Sequence, residues 1–86
     1  MRGSEREPYL YDLIRWAKWV FRPGRVDPCR LRSLTALHPT LLRELLLSWE
    51  SHLLERSQPP HSIRKHLSRL MRGINQLRRQ VNLPPL

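Results

Sequence analysis

The sequence predicts an all-α fold, a small bundle of three long helices and one short helix. Apolar residues recur at steps of three and four along three separate stretches, as they do on one face of an α-helix. No stretch shows the strict alternation of apolar and polar residues that is typical of a β-strand. The 86 residues leave room for one domain. We expect modest stability, because folding of so short a chain buries only about 60–65% of its unfolded surface.

The first long helix follows a polar segment. Residues 1–8 are hydrophilic and are expected to form a flexible tail, although Pro8 would also suit the first turn of a helix. Pro23 and Gly24 are expected to end this helix. Its apolar face is formed by Leu10, Leu13, Ile14, Ala17, Val20 and Phe21.

The short helix and the second long helix are predicted next. Asp27 and Pro28 form a turn or N-cap signal, so we expect a single helical turn over residues 29–33. Pro39 fits the first position of a helix that should extend to about Arg56. The leucines of this helix cover more than half of its circumference, a pattern typical of a central helix that neighbours cover on two sides.

The third long helix is predicted from about His61 to about Asn82, since prolines lie on both sides of this stretch. One of its faces is apolar and is expected to complete the core of a monomeric bundle. The predicted core consists of Leu13, Ile14, Ala17, Val20, Leu42, Leu45, Leu46, Trp49, Leu53, Ile63, Leu67, Leu70, Ile74 and Leu77.

The chain is strongly basic, and much of the charge lies near its C-terminal end. Sixteen Lys and Arg residues against seven Asp and Glu residues give a formal net charge of +9, and fourteen of the sixteen are Arg. Residues 60–86 carry six basic residues and no acidic residue. Arginine binds phosphate through two parallel hydrogen bonds, so this composition favours a polyanionic partner, most commonly nucleic acid. A high net charge also promotes solubility, which is the alternative explanation.

The third helix carries a second, cationic face. Lys65, Arg69, Arg72 and Arg79 recur at helical steps, and Gln76 fills the gap between them. A solvated helix surface normally mixes acids and bases at i,i+4, whereas like charges at this spacing repel each other. The absence of an offsetting acid therefore predicts a bound anion rather than a simple solvent-exposed surface.

The first helix also presents basic residues on one face. Arg15, Lys18 and Arg22 share this face. Trp16 and Trp19 beside them could stack on nucleic-acid bases, or could belong to the edge of the core. The sequence leaves both alternatives open.

Metal-binding and catalytic sites are not predicted. His61 and His66 are five residues apart, not the three or four that place two ligands on one helix face, and Cys29 is the only cysteine. Tyr9 and Tyr11 are interpreted as packing residues at the start of the first helix, because no base accompanies them. We therefore expect no metal, no cofactor and no small-molecule substrate.

The compartment is predicted from what the sequence lacks. Cys29 alone cannot form an intramolecular disulfide, which favours the reducing cytoplasm. The N-terminal residues are hydrophilic, unlike those of a signal peptide. No apolar run approaches the roughly 20 residues needed to span a bilayer, so no membrane is expected as a partner.

Four segments follow one another in a recognisable order. They are an opening helix with a Y-x-x-x-L-x-x-W face, a short stretch over 27–35, a leucine-rich helix, and PHSIRKHLSRLMR over 60–72. Over residues 9–85 this order resembles the N-terminal core-binding (SAM-like) domain of tyrosine recombinases and phage integrases. The last segment of that family has the form S-x-x-T-I-x-R-H-L-S-x-L-R. Ser62 stands where the family usually has Thr. Late aromatic residues of the family are replaced here by Gly73, Ile74 and Leu77.

The resemblance implies a small orthogonal bundle of crossed helices that clamps one side of a DNA duplex. In the family a separate C-terminal domain closes the other side and supplies the catalytic residues. That domain is expected to be absent here, so the chain itself is not expected to be an enzyme. Residues 9–83 would form the DNA-binding domain, and residues 84–86 would begin the linker that follows it. The implied partners are double-stranded DNA and other recombinase protomers.

The resemblance and the two cationic faces together predict a set of nucleic-acid-binding residues. These are Arg15, Lys18, Arg22, Ser62, Arg64, Lys65, Arg69, Arg72 and Arg79. The alternative function is a small helical interaction or regulatory module that binds an acidic protein partner. A third alternative places the last helix on an anionic membrane. It is disfavoured because the apolar face of that helix is needed to close the core.

Overall fold

The computed structural model describes residues 7–86, with side chains from Leu10 onward. Most of this part of the chain lies in four helices, α1 (Glu7–Val20), α2 (Pro28–Thr35), α3 (Pro39–Glu55) and α4 (Pro60–Gln80). The predicted all-α bundle of three long helices and one short helix is thus confirmed. The last two residues of the predicted tail, 1–8, belong to α1, whereas residues 1–6 lie outside the described part of the chain.

α2 and α3 each begin with an N-cap residue that is followed by a proline. The carboxylate of Asp27 accepts a hydrogen bond from the N–H of Arg30 at 2.8 Å, which makes it the N-cap of α2. α2 then continues to Thr35, so it is longer than the single turn predicted over 29–33. At the start of α3, Nδ1 of His38 accepts a hydrogen bond from the N–H of Thr40 at 3.2 Å.

α3 and α4 end in the same way. Ser57 and Asn82, which follow the two helices, both have a φ of 63°, in the left-handed region. The N–H groups of Ser57 and Gln58 donate to the carbonyl oxygens of Leu54 and Leu53 at 3.0 and 3.2 Å, and α4 ends with the same pair of bonds. Each end is therefore a Schellman motif, which satisfies carbonyl groups that the last turn of a helix leaves without partners.

The core is organised around α4, which packs against α1, α2 and α3, and most extensively against α1. The sequence pattern predicts α3 as the central helix, and that prediction is wrong. Leu41, Leu47 and Leu54 of α3 are 49%, 62% and 55% exposed, because α3 packs chiefly against α4. The buried apolar residues are Leu13, Trp16, Ala17, Leu34, Leu42, Trp49, Leu53, Ile63, Leu70 and Ile74.

Most of the predicted core is buried or partly buried. Ile14 is the exception, since it is 37% exposed. Five other members are only partly buried and pack against the core, namely Val20, Leu45, Leu46, Leu67 and Leu77. The arc of α1 that enters the core is therefore narrower than the apolar pattern of its sequence suggests.

The aromatic residues of α1 divide between the core and the surface. Trp16 is fully buried, so the alternative that it stacks on bases is wrong. Trp19 is half-buried, with its ring centroid 5.3 Å from that of Trp49. Tyr11 is 64% exposed and so is not the packing residue that the sequence suggests. The side chain of Tyr9 lies outside the described part of the chain.

One charged residue of α4 belongs to the interior. Arg78 is only 2% exposed. Its Nη1 donates to the carbonyl oxygens of Thr35 at 3.1 Å and Leu37 at 2.8 Å, and its Nε donates to that of Pro84 at 2.7 Å. The guanidinium therefore joins α4 to the end of α2 and to the segment that follows α4.

That C-terminal segment packs back onto the bundle. The N–H of Leu86 donates to Oδ1 of Asn75 on α4 at 2.8 Å. The side chain of Leu86 packs against the core. Residues 84–86, predicted as the start of a linker, thus lie against α4 in the structure.

Candidate nucleic-acid interface

The outer face of α4 forms a basic surface depression of about 520 Å³. We call this depression the basic groove. Its lining residues are His61, Arg64, Lys65, Ser68, Arg69 and Arg72. Four of the six carry a positive charge, and all six belong to one helix, so their spacing is set by the helix itself.

Helical geometry explains why these residues meet. His61, Arg64, Ser68 and Arg72 follow each other at steps of three or four, on the side of α4 opposite to buried Leu70. The stretch from His61 to Arg72 is about 16 Å long at the rise of an α-helix. Arg79 is exposed two turns beyond Arg72 on the same side, and so extends the basic groove toward the C-terminal end of α4.

The electrostatic field at this face is positive from several sources. Residues 60–86 contain no Asp or Glu that could neutralise the cations. The N-terminal end of a helix carries partial positive charge from its free N–H groups. Here Pro59 provides no side-chain cap, and the first turn contains no acidic residue. His61, Arg64 and Lys65 therefore add their side chains to a helix end that already favours anions.

The basic side chains differ in how far they reach solvent. Arg64 and Lys65 are exposed, as is Arg72, whereas Arg69 is half-buried. Ser62, predicted as a phosphate donor, is half-buried and does not line the basic groove. Exposed cations thus extend from Arg64 and Lys65 near the start of α4 to Arg72.

The predicted residues of α1 form a separate surface. Arg15 and Lys18 line a smaller depression of about 260 Å³ together with Tyr11 and Ile14. The guanidinium carbon of Arg15 lies 5.6 Å from the ring centroid of Trp49. The structure therefore gathers four of the predicted α4 residues into one groove and places these two α1 residues in another depression.

Arg22 is already engaged at the end of α1. Its guanidinium carbon lies 4.6 Å from the ring centroid of Trp19, a cation–π distance. Its Nη1 donates to the Trp19 carbonyl oxygen at 2.5 Å. Binding of a phosphate by Arg22 would compete with these local interactions, which makes it the weakest of the predicted α1 contacts.

Sequence reasoning missed two members of the basic groove. The sequence pattern predicts no anion-binding role for either His61 or Ser68. Both lie at helical steps from Arg64 and Arg72, so extension of the cationic pattern to uncharged hydrogen-bonding residues would have found them. The same pattern could not show that Arg78 is structural, because its acceptors are distant in sequence.

A partly buried polar pair joins α1 to α4. Nδ1 of His66 lies 2.9 Å from Oδ1 of Asp12, whose side chain is 5% exposed. The other carboxylate oxygen of Asp12 has no hydrogen-bond partner among the described residues. His66 therefore contributes to the packing of α4 on α1 rather than to its outer face.

Comparison with protein-family models, with curated proteins and with solved structures finds no match. Within residues 7–86, no group of three or more His, Cys, Asp or Glu side chains could hold a metal ion. None of the helices in this part of the chain combines the length and the apolar character required to cross a bilayer. The site is thus interpreted from its own geometry and charge.

Proposed function

We propose that this chain is a DNA-binding module that contacts the phosphates of a duplex through the basic groove of α4. The resemblance to tyrosine recombinases makes the core-binding domain of a site-specific recombinase the specific form of this proposal. In that form the chain clamps DNA but does not cleave it. Other recombinase protomers and the cytoplasm follow as the expected partner and compartment.

The observation that carries the proposal is the basic groove itself. Four cations line one depression without an acidic residue in the same helix, and the exposed Arg79 continues the row. Like charges at these spacings repel one another in the free protein. A polyanion with regularly spaced charges relieves that repulsion along the whole face, which a single small anion cannot do.

Phosphate contacts in the basic groove are expected to contribute to affinity rather than to sequence selectivity. Phosphate contacts position a protein on DNA but carry no direct sequence information. An α-helix fits the major groove of B-DNA, and the N-terminal residues of such a helix are those that usually reach base edges. Arg64 and Lys65 hold this position on α4 and are exposed. We therefore expect weak binding by the isolated chain, with any sequence preference arising from these two residues.

A salt titration of duplex binding tests the proposal. If Arg64, Lys65, Arg69, Arg72 and Arg79 neutralise about five phosphates, the logarithm of the binding constant should fall with the logarithm of salt concentration with a slope of about −4.5. The double variant Arg69→Ala with Arg72→Ala should reduce the magnitude of this slope by about two units. Fluorescence anisotropy of a labelled duplex gives the binding constant at each salt concentration.

A matched control distinguishes local contacts from net charge. Arg32 and Arg56 are exposed, on α2 and at the C-cap of α3, and neither lines the basic groove. The double variant Arg32→Ala with Arg56→Ala removes the same charge but should leave the slope almost unchanged. Equal slopes for both double variants, with circular dichroism showing intact folds, would move the binding site away from α4.

The alternative is a helical module that binds an acidic protein. The cations of the basic groove are compatible with this alternative, because an acidic protein surface could also neutralise them. It predicts no duplex binding even at low salt, and saturable binding of an acidic protein that persists as salt is raised.

A further inference from the structure

α3 has an apolar face that the bundle leaves uncovered. Leu47 and Leu54 lie two turns apart on this face and are 62% and 55% exposed. Two depressions of about 350 and 170 Å³ lie beside them, along the line where α3 meets α4. Glu50 and Leu67 line both depressions, so the two adjoin each other, and we call them together the trough. The larger depression is mainly apolar, whereas Arg64 also borders the smaller one. Leu46 and Met71 line the larger of the two depressions.

Two charges lie on this face in a regular arrangement. Arg43 and Glu50 are seven residues apart, two helical turns, so both project from the same side of α3. Leu47 lies between them. Neither charge has an ion-pair partner among the described residues. A positive charge, a leucine and a negative charge thus follow one another along the uncovered face.

This order of charges is self-complementary under a two-fold axis. If a second copy of the helix lies antiparallel with the axis near Leu47, Arg43 of each copy faces Glu50 of the other. Each Leu47 is then directed toward the trough of the opposite copy. The face is also suited to a like-charged partner, because α3 holds three glutamates against one arginine in a chain whose net charge is +9.

We propose that two copies of this chain associate through α3, in an antiparallel pair held by Leu47, Leu54 and two reciprocal Arg43–Glu50 ion pairs. This proposal replaces the sequence-based expectation of a monomer and does not depend on DNA binding. The sequence pattern also predicts that neighbours cover α3 on two sides, whereas the structure leaves this face open.

Sedimentation velocity of the full chain, from low micromolar to submillimolar concentration, tests the proposal. The unaltered chain should shift from monomer to dimer within this range. Leu47→Glu should remain monomeric throughout, and because Leu47 is exposed, this variant should keep its fold. Arg43→Glu and Glu50→Arg should each raise the dissociation constant about tenfold or more, because each creates two repulsive contacts.

The decisive measurement mixes the two charge variants. In a mixed pair, Glu at position 43 of one copy faces Arg at position 50 of the other, and the second contact keeps its natural charges. The mixture should therefore form a heterodimer about as tight as the original dimer. Glu55→Arg and Arg25→Glu change the net charge equally at exposed positions outside this face and should leave dimerisation unaltered. A chain that is monomeric at all concentrations, or variants that do not recover association when mixed, would overturn the proposal.

Discussion

Arg78 allows a quantitative test of how this bundle is held together. Its guanidinium donates to three carbonyl oxygens from two parts of the chain, those of Thr35 and Leu37 at the end of α2 and that of Pro84 after α4. Replacement by methionine, Arg78→Met, keeps an unbranched side chain in the interior and removes all three donors. The bond to Thr35 is buried, whereas the bonds to Leu37 and Pro84 are only partly buried.

The expected magnitude follows from these three acceptors. A buried polar group without a partner costs about 1–3 kcal/mol. Leaving the Thr35 oxygen without a donor should cost this full amount. Water can donate to the Leu37 and Pro84 oxygens and offset part of the loss there. We therefore expect Arg78→Met to lower the free energy of unfolding by about 3 kcal/mol. In a domain of this size that corresponds to a fall in Tm of about 12–24 °C.

The neighbouring residue provides the control. Arg79→Met changes the same residue type and the same charge at an exposed position, so its effect should stay within about 0.5 kcal/mol. Urea denaturation followed by circular dichroism measures both free energies. Arg78→Lys keeps the charge but loses the fork of donors, so its stability should lie between those of the two variants. Losses of equal size at positions 78 and 79 would refute the structural role of Arg78.

Two further predictions concern the core and the α1–α4 contact. Leu70→Ala should lower the free energy of unfolding by about 2–5 kcal/mol because the side chain is fully buried, whereas Leu47→Ala should lower it by less than about 0.5 kcal/mol. Thermal unfolding at a concentration where the chain is monomeric measures both. In a double-mutant cycle, the losses in free energy of unfolding caused by Asp12→Ala and His66→Ala should be non-additive by about 0.5–3 kcal/mol, since the two side chains are 2.9 Å apart. Additive losses would show that the pair contributes no interaction.

The starts of α2, α3 and α4 could be predicted from the sequence to within about one residue, because they depend on nearby residues. Pro39 and Pro60 mark the first positions of α3 and α4, and Asp27 caps α2 through a residue three positions away. The cationic face of α4 was predictable for the same reason. Once α4 is helical, the steps between Arg64, Lys65 and Arg72 place them on one side.

What the sequence could not show depends on how the helices pack. A run of leucines predicts an apolar arc but not which part of it a neighbour will cover. Leu47 belongs to that arc, yet it is 62% exposed in the structure. Arg78 and Arg79 are adjacent arginines at the end of one helix, yet one is buried and the other exposed. What distinguishes Arg78 is the position of the Thr35 and Leu37 carbonyl groups, which accept its hydrogen bonds and lie more than 40 residues away in the sequence.

Under the proposed function, α4 combines two tasks on opposite sides of one helix. Its inner side carries Leu70, Ile74 and Arg78, which hold the bundle together. Its outer side carries Arg64 and Lys65, which are exposed and lie outside the core. Changes on the outer side should alter anion binding without loss of the fold, whereas changes on the inner side should alter both. An anion that binds only the folded chain also stabilises it, so occupation of the basic groove offsets the repulsion among its cations.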